Sequence, residues 1–218
     1  MTLKLIPLKR SVDQKGKLRI IAGVWRRHQL SIAPVPGLRP TTDRLREVLF
    51  SWLGLSGCEG LCVLDLFSGT GALGLEAASR GAKQVTFVEN HPQVCAQLHS
   101  NITLLSQKWQ PQYGQQPVFT LIRNTAEAVL AQRMGTYDLI FLDPPFGSHH
   151  LDACLAKLPT CLKPGGLVYV EWGEPLPTCR SLLAQRFGHH SAEVLKYKRV
   201  GGVHAHLVQV STVDPLSS

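Results

Sequence analysis

The sequence predicts one α/β domain with a mostly parallel β-sheet and a small β-hairpin extension at its N-terminus. Its 218 residues suffice for one such domain with a full core, but not for two. From Leu61 onward, β-prone and helix-prone segments alternate, which is typical of the right-handed crossovers of a doubly wound parallel sheet. Two final β-prone segments flank Gly201-Gly202 and predict an antiparallel C-terminal hairpin.

The N-terminal extension is predicted to begin with a β-hairpin. Residues 18–24 and 29–35 are short β-prone stretches separated by Trp25-Arg26-Arg27-His28. This spacing predicts paired strands joined by a basic, aromatic tip.

A helix is predicted to follow this hairpin. Thr42 and Asp43 can cap it, and apolar residues at helical spacing extend it over Asp43–Leu53 until Gly54 ends it. We therefore expect residues 1–54 to form the extension and residues 55–218 the main domain.

The main domain is predicted to alternate strands with helices. The predicted parallel strands are 61–66, 84–89, 117–122, 137–142 and 166–171. The predicted helices lie near 72–80, 92–105, 125–133 and 149–158. The closing hairpin is predicted to pair 192–199 with 203–210.

The net charge of +8 is concentrated at the N-terminus. Residues 1–46 contain eleven lysines and arginines against two acids, whereas the rest of the chain is nearly neutral. This asymmetry favours an extension that docks on a polyanion such as nucleic acid, although a solvated basic tail would have the same composition. The candidate phosphate contacts are Arg19, Arg26, Arg27, Arg39, Arg44 and Arg46.

Composition excludes several classes of protein. No segment approaches the roughly 20 apolar residues that span a bilayer, and Lys4 and Pro7 interrupt the start of the chain, unlike a secretory signal. We therefore expect a cytoplasmic protein without a membrane anchor. The six cysteines are scattered without metal-ligand spacing, so we expect buried, reduced thiols and no metal site.

A glycine-rich loop follows the first parallel strand. Asp65 ends that strand, and Gly69, Gly71 and Gly74 then let the backbone pass close to a ligand before a helix opens. Glu89 ends the next strand, where a carboxylate can accept hydrogen bonds from ribose hydroxyls. The spacing also fits an NAD-dependent dehydrogenase. However, the carboxylate of Asp65 would repel a pyrophosphate, whereas it suits a ligand with an amino group and a sulfonium charge.

The segment after the third strand is Asn124-Thr125-Ala126, at the position where this class of fold recognises adenine. We expect Thr125 and Ala126 to line the cofactor site. An Asp or Asn is more common at the position of Thr125, so the threonine departs from the usual pattern.

Asp143-Pro144-Pro145-Phe146 ends the fourth strand. An exocyclic amino group is a poor nucleophile because its lone pair is delocalised into the ring. The Asp143 carboxylate and the Pro144 carbonyl could accept its two N–H bonds and direct the lone pair at a methyl donor. Phe146 offers a flat apolar face on which an unpaired base could stack. The alternative interpretation is a proline-rich turn with a capping Asp.

Taken together, these motifs resemble those of the bacterial small-subunit rRNA guanine-N2 methyltransferases of RsmD type. Residues 38–46, with the sequence LRPTTDRLR, and the strand RIIAG at 19–23 contribute to the resemblance, which spans roughly 18–210. It implies a Rossmann-like class I methyltransferase fold with a seven-stranded sheet. It also implies methyl transfer from S-adenosylmethionine to the exocyclic N2 of a guanine in 16S rRNA.

The resemblance further implies roles for individual residues. Asp143, Pro144 and Phe146 would handle the target base. Asp65, Phe67, Gly69, Gly71 and Glu89 would hold S-adenosylmethionine. Thr41 to Arg44 would line the site from the hairpin side, and the hairpin would close over it. The expected partner is ribosomal RNA or the small ribosomal subunit, bound by a monomer.

Other functions remain open at this point. Protein-glutamine methyltransferases that act on release factors use a similar tetrapeptide, usually with Asn in place of Asp143. DNA adenine methyltransferases also modify an exocyclic amine, but this chain is short for their large recognition domain. A non-enzymatic RNA-binding factor with a retained cofactor pocket is a further possibility.

Overall fold

A computed structural model describes residues 17–36, 42–54, 57–132, 136–145 and 150–211. The N-terminal elements are β1 (Lys17–Arg19), β2 (Gln29–Ser31) and α1 (Asp43–Leu53). β1 and β2 pair antiparallel, which confirms the predicted hairpin, although its strands are only three residues long.

The main domain alternates strands and helices as predicted. Its elements are β3 (Cys62–Asp65), α2 (Ala72–Ser79), β4 (Gln84–Glu89), α3 (Pro92–Gln107), β5 (Val118–Arg123), α4 (Ala126–Leu130), β6 (Tyr137–Leu142), α5 (His150–Leu155), α6 (Leu158–Cys161), β7 (Leu162–Trp172), α7 (Arg180–Arg186), β8 (Ser191–Val200) and β9 (Val203–Ser211). One predicted helix, near 149–158, is divided into α5 and α6, and α7 was not predicted.

The seven main-domain strands form one sheet in the order β5-β4-β3-β6-β7-β9-β8. β5, β4, β3, β6 and β7 are parallel, and β9 is antiparallel to both β7 and β8. This topology confirms the predicted mostly parallel sheet with an antiparallel end. The parallel strands end together at one edge, called here the carboxyl edge, which includes Asp65, Glu89 and Leu142.

Helix α1 has the boundaries that its sequence predicts. The Thr42 hydroxyl accepts a hydrogen bond from the Leu45 N–H at 3.3 Å, and Gly54 ends the helix with a φ of +81°. Both ends therefore follow from local chemistry that the sequence already shows.

Apolar side chains cover both faces of the sheet. Along the central strand β3, Val63 packs into the core with the N-terminal hairpin and α1 to α3, and Leu64 packs into the core with α4 to α7. The described part of the N-terminal extension thus shares a core with the main domain.

The prediction that Trp25 forms an aromatic tip of the N-terminal hairpin is wrong. Its side chain is buried, and its ring lies 5.6 Å from the Trp109 ring and 6.2 Å from the Phe119 ring. The Trp25 backbone N–H donates to the Ser79 hydroxyl at 3.0 Å. Burial of this large ring against the main domain is more favourable than its exposure to water. Arg26 and Arg27 do remain exposed.

Arg46 also differs from its prediction as a phosphate contact. Its side chain is wholly buried, and it pairs with Asp43 at 2.6 Å and with Glu76 at 3.5 Å. It also donates to the Arg19 carbonyl oxygen at 2.8 Å. Because its charge is already enclosed by protein acceptors, Arg46 cannot meet a phosphate in this structure.

Glu76 is the second acidic partner of Arg46. It lies on α2, so a count of the charges in residues 1–46 does not include it. This buried carboxylate accepts from the Ile21 N–H at 2.8 Å and the Ala22 N–H at 2.9 Å, and it pairs with Arg80 at 2.8 Å. Together with Arg46 it fastens the hairpin to α2. We call these two side chains and their partners the hairpin anchor.

Five of the six cysteines are buried, as predicted, and all six are free thiols. Burial raises the pKa of the Cys58 and Cys154 thiols to about 12. Cys179 is exposed, so its prediction as a buried residue is wrong, because it precedes α7 at the surface. Within the described residues, no helix is long and apolar enough to cross a bilayer, and no three potential metal ligands cluster.

Candidate active site

A cleft of about 410 Å³ opens at the carboxyl edge of the sheet. The turns after four strands line it, because parallel strands bring their carboxyl ends to the same edge. The predicted residues among its walls are Asp65, Phe67, Gly69, Glu89, Thr125, Ala126, Asp143 and Pro144. The fold therefore brings together the predicted cofactor residues other than Gly71 and two predicted catalytic residues, whereas Phe146 lies outside the described residues.

Asp65 lies at the base of the cleft and is 3% exposed. One of its carboxylate oxygens accepts from the Gly74 N–H at 3.0 Å. Burial raises its pKa from 3.8 to about 7, and the negative charges of Asp143 and Glu89 add to the rise, against the hydrogen bond from Gly74. The carboxylate is therefore held where a cationic ligand would stabilise its ionised form.

Glu89 joins the ends of two neighbouring loops. One of its carboxylate oxygens accepts from the Gly69 N–H at 3.0 Å, and the other accepts from the His91 N–H at 2.8 Å. Ser68 strengthens the same connection, because its hydroxyl donates to the Asp65 carbonyl oxygen and accepts from the Val88 N–H. The acid that ends β4 is thus fixed at the wall of the cleft.

Each of the three positions in the loop favours glycine for a different structural reason. Gly69 lines the cleft with a φ of +49°. Gly71 does not line it, but begins α2 with a φ of +80°, where a Cβ would lie 2.4 Å from Leu98. A Cβ at Gly74 would lie 2.3 Å from the Phe87 ring, so this glycine allows α2 to pack closely on β4. The predicted cofactor role of Gly71 is therefore indirect in this structure.

Thr125 and Ala126 line the cleft at the start of α4. The Thr125 hydroxyl accepts from the Ala128 N–H at 3.4 Å and caps the helix, and the Asn124 side chain accepts from the Thr125 N–H at 2.8 Å. The threonine hydroxyl thus stabilises the start of α4, and the small side chain of Ala126 leaves room in the cleft.

Asp143, Pro144 and Pro145 follow β6 and line the cleft. Asp143 is close enough to Asp65 for its charge to raise the pKa of that carboxyl. The two carboxylates therefore belong to one site, one beneath the glycine loop and the other on the strand end next to it.

Glu171 is a feature of this region that was not predicted. It is 2% exposed, lies near the end of β7, and accepts a hydrogen bond from the Tyr169 hydroxyl at 2.8 Å. Burial raises its pKa to about 9, and the negative charge of Asp143 adds to this rise. Burial and the nearby charge of Asp143 thus favour the neutral form of Glu171. A glutamate inside the apolar run VYVEW was the signal that could have found it.

The mouth of the cleft also contains a pair that was not predicted. His150 at the start of α5 hydrogen-bonds through Nδ1 to the Glu127 carboxylate of α4, and both residues line the cleft. The ring of Phe67 lies 6.0 Å from the His150 ring. This contact joins α4 and α5 at the mouth.

The predicted RNA-contacting residues are distributed differently. Arg19, Arg26, Arg27 and Arg44 are exposed, and Arg19 pairs with Asp43 at 3.1 Å. Arg39 and Thr41 lie outside the described residues.

The chain is similar to known proteins over most of its length. A family model described as conserved hypothetical protein 95 matches residues 18–207. The ribosomal RNA small subunit methyltransferase D of Haemophilus influenzae is 39% identical over 168 residues, which cover 76% of this chain and 83% of that protein. The protein of the same name from Escherichia coli is 40% identical over 158 residues, which cover 72% and 75%.

A solved structure agrees with these matches. The Escherichia coli protein yhhF, a putative methyltransferase, superposes with a TM-score of 0.71 at 35% sequence identity. The superposition covers 90% of this chain and 99% of that one, so the two chains share almost the whole fold.

Proposed function

The chain belongs to the RsmD family of ribosomal RNA small subunit methyltransferases, and from that premise we propose that it methylates the exocyclic N2 of a guanine in 16S rRNA. S-adenosylmethionine is the methyl donor in this proposal. The observation that carries it is the meeting of Asp143 and Pro144 with Asp65 and Glu89 in one cleft. The substrate is the small-subunit RNA, and the protein acts on it in the cytoplasm as a monomer.

The residues of the cleft fit S-adenosylmethionine. The buried Asp65 carboxylate suits a ligand with positive charge better than a pyrophosphate, because two like charges in a desolvated site repel strongly. Glu89 and Gly69 line the cleft, where the carboxylate would accept from ribose hydroxyls and the glycine would let the ligand approach the backbone. Thr125 and Ala126 form the wall at which the adenine would lie.

When bound, S-adenosylmethionine supplies an electrophilic methyl group on a sulfonium. The protein's own contribution is to position and activate the amine. The Asp143 carboxylate and the Pro144 carbonyl oxygen accept hydrogen bonds from its two N–H bonds and concentrate the lone pair on nitrogen. The fixed φ of proline keeps the second acceptor rigid.

A guanine must leave its stack to reach this cleft. The amino group of a stacked, paired base could not reach acceptors that lie inside a cleft at the end of a β-strand. We assign Phe146 the role of stacking against that base. The exposed arginines Arg19, Arg26, Arg27 and Arg44, with Arg39 and Thr41, would hold the surrounding RNA through phosphates.

The proposal is tested by offering the protein labelled S-adenosylmethionine with naked 16S rRNA, small subunits, DNA and release factor. Nuclease digestion and mass spectrometry then identify the modified residue. N2-methylguanine in 16S rRNA is the expected product. N6-methyladenine or methylglutamine as the main product would instead assign one of the alternative activities.

Cofactor identity is tested separately by calorimetry. S-adenosylmethionine should bind saturably, and NADH should not bind. Tight binding of NADH would contradict the assignment of the glycine loop to a methyl donor.

A further inference from the structure

We propose that the β8–β9 hairpin is a second RNA-binding surface, which holds the rRNA strand beside the target nucleotide. The surface consists of Lys196, Tyr197, Lys198 and Arg199 on β8 and His204 on β9, and we call it the hairpin surface. The proposal rests on the proposed function, since it concerns how that substrate is held. The sequence prediction concerned only the net excess at the N-terminus, whereas this surface is a local cluster within the nearly neutral remainder of the chain.

The first observation is uncompensated positive charge. Lys196, Lys198 and Arg199 are exposed, and within the described residues no carboxylate pairs with any of them. The acid on β8 is Glu193, near the opposite end of the strand, and β9 has none. Side chains alternate along a strand, so Lys196 and Lys198 lie on one face of β8, and Arg199 lies on the other face with Tyr197. Cations on both faces of this exposed edge strand suit the closely spaced phosphates of a nucleic acid that runs along the edge.

The second observation is an aromatic ring on the same face of β8 as Arg199. Tyr197 is 49% exposed, and its hydroxyl forms a 2.8 Å hydrogen bond with Nδ1 of His204. Its ring also stacks on the His204 ring, with centroids 5.8 Å apart and planes 25° apart. The ring is therefore held in one orientation while half of it is open to solvent. Such a platform favours stacking of an unpaired base.

The third observation is location. The strand registers pair Leu142 with Val170, Trp172 with His204, and His204 with Arg199. The end of β8 thus lies at the carboxyl edge, three strand spacings from the strand that ends before Asp143. At about 4.8 Å per spacing this is roughly 14 Å, or about four nucleotides of a stacked strand. An RNA strand that enters the cleft can therefore reach the hairpin surface.

The charge test compares two double variants. Lys198→Gln with Arg199→Gln removes two cations from the hairpin surface. Lys83→Gln with Lys108→Gln removes two exposed cations from the opposite end of the molecule, before β4 and after α3, and serves as the matched control. Binding to naked 16S rRNA and to small subunits is measured over a range of salt concentrations.

The double variant Lys198→Gln with Arg199→Gln should reduce the magnitude of the slope of log affinity against log salt by about 1.4. This value corresponds to two lost contacts to single-stranded RNA. The KM for RNA should rise, while the single-turnover rate at saturating RNA and the affinity for S-adenosylmethionine stay within about twofold of wild type. The control should keep the wild-type slope.

The stacking test uses Tyr197→Leu and Tyr197→Phe. The first removes the ring and should weaken RNA binding about tenfold, whereas the second keeps the ring and should bind nearly as wild type. Cofactor affinity and thermal unfolding show whether each variant is folded. The lysine and arginine variant decides the proposal if Tyr197→Leu does not fold.

Two results would overturn the proposal. One is a hairpin variant whose salt slope matches that of the control. The other is a lower affinity for assembled subunits with an unchanged affinity for naked rRNA, which would assign the surface to a ribosomal protein. Failure of the proposed function is a separate result, namely no methylated guanine with the wild-type protein, because RNA binding is measured without methyl transfer.

Discussion

The cleft and the N-terminal hairpin use charged side chains in opposite ways. In the cleft, Asp65 is buried without a cation beside it among the described residues, and its pKa is raised to about 7. In the hairpin anchor, Arg46 and Glu76 are equally buried but are paired with each other. A buried charge without an oppositely charged partner is available to a ligand, whereas a buried charge in an ion pair stabilises the fold.

This difference shows why sequence motifs and charge counts are not equally informative. The motif around Asp65 includes the glycines that create its environment, so its position in the cleft follows from the local sequence. The arginines of the N-terminus have no such local context. Arg26 and Arg46 are equivalent in a charge count, yet the first is exposed and the second is enclosed.

The largest effect is expected when the hairpin anchor is broken. Glu76→Ala leaves Arg46 buried without this carboxylate and removes the acceptor of the Ile21 and Ala22 N–H groups. The free energy of unfolding should fall by about 3–5 kcal/mol, as measured by urea denaturation. Asp43→Ala, which removes a half-exposed partner of the same arginine, should cost clearly less. Equal decreases in the two variants would contradict the anchoring role of Glu76.

The next effect concerns catalysis in the cleft. Asp143→Ala should lower the single-turnover methylation rate about 100- to 1000-fold, because its hydrogen bond strengthens as the amine pyramidalises. Cofactor and RNA affinities should change little. Asp143→Asn keeps one acceptor oxygen and should give an intermediate rate, and Asp152→Ala on the exposed side of α5 is the control. A rate for Asp143→Ala within twofold of wild type would mean that the tetrapeptide is only a structural turn.

A smaller effect is expected from the pH dependence of cofactor binding. Because the pKa of Asp65 is raised to about 7 in the free protein, much of it is protonated at pH 6. A cationic ligand favours the ionised form, so the affinity should rise about tenfold between pH 6 and pH 8 and then level off. Calorimetry in buffers of different ionisation enthalpy should show proton release on binding near pH 6. Asp65→Asn should bind more weakly and show no such dependence on pH.

The smallest effect concerns the exposed arginines Arg26 and Arg27 of the N-terminal hairpin. Arg26→Gln with Arg27→Gln should reduce the magnitude of the salt slope of RNA binding by about 0.7–1 for each phosphate interaction that is removed, the lower value applying to single-stranded RNA, without changing the base that is methylated. Lys83→Gln with Lys108→Gln is again the control. An unchanged slope would mean that both arginines are solvated and do not contact RNA. Arg26 would then differ from Arg46 only in its exposure and not in an RNA-binding role.

The order of the strands, most of the helices and the main walls of the cleft could be predicted from the amino-acid sequence alone, whereas α7 and the division between α5 and α6 were not. Strand ends, glycines and caps are local features, and parallel strands necessarily bring Asp65, Glu89 and Asp143 to one edge. The caps of α1 at Thr42 and Gly54 were predictable for the same reason, since the groups that satisfy a helix end lie within a few residues of it.

Features that depend on partners distant in the chain became visible only in the folded structure. Trp25 is buried because Trp109 and Phe119 lie opposite it, and Arg46 is buried because Glu76 meets it from a helix thirty residues later. Burial of a charge is favourable only when its partner is present, and no local pattern shows that partner.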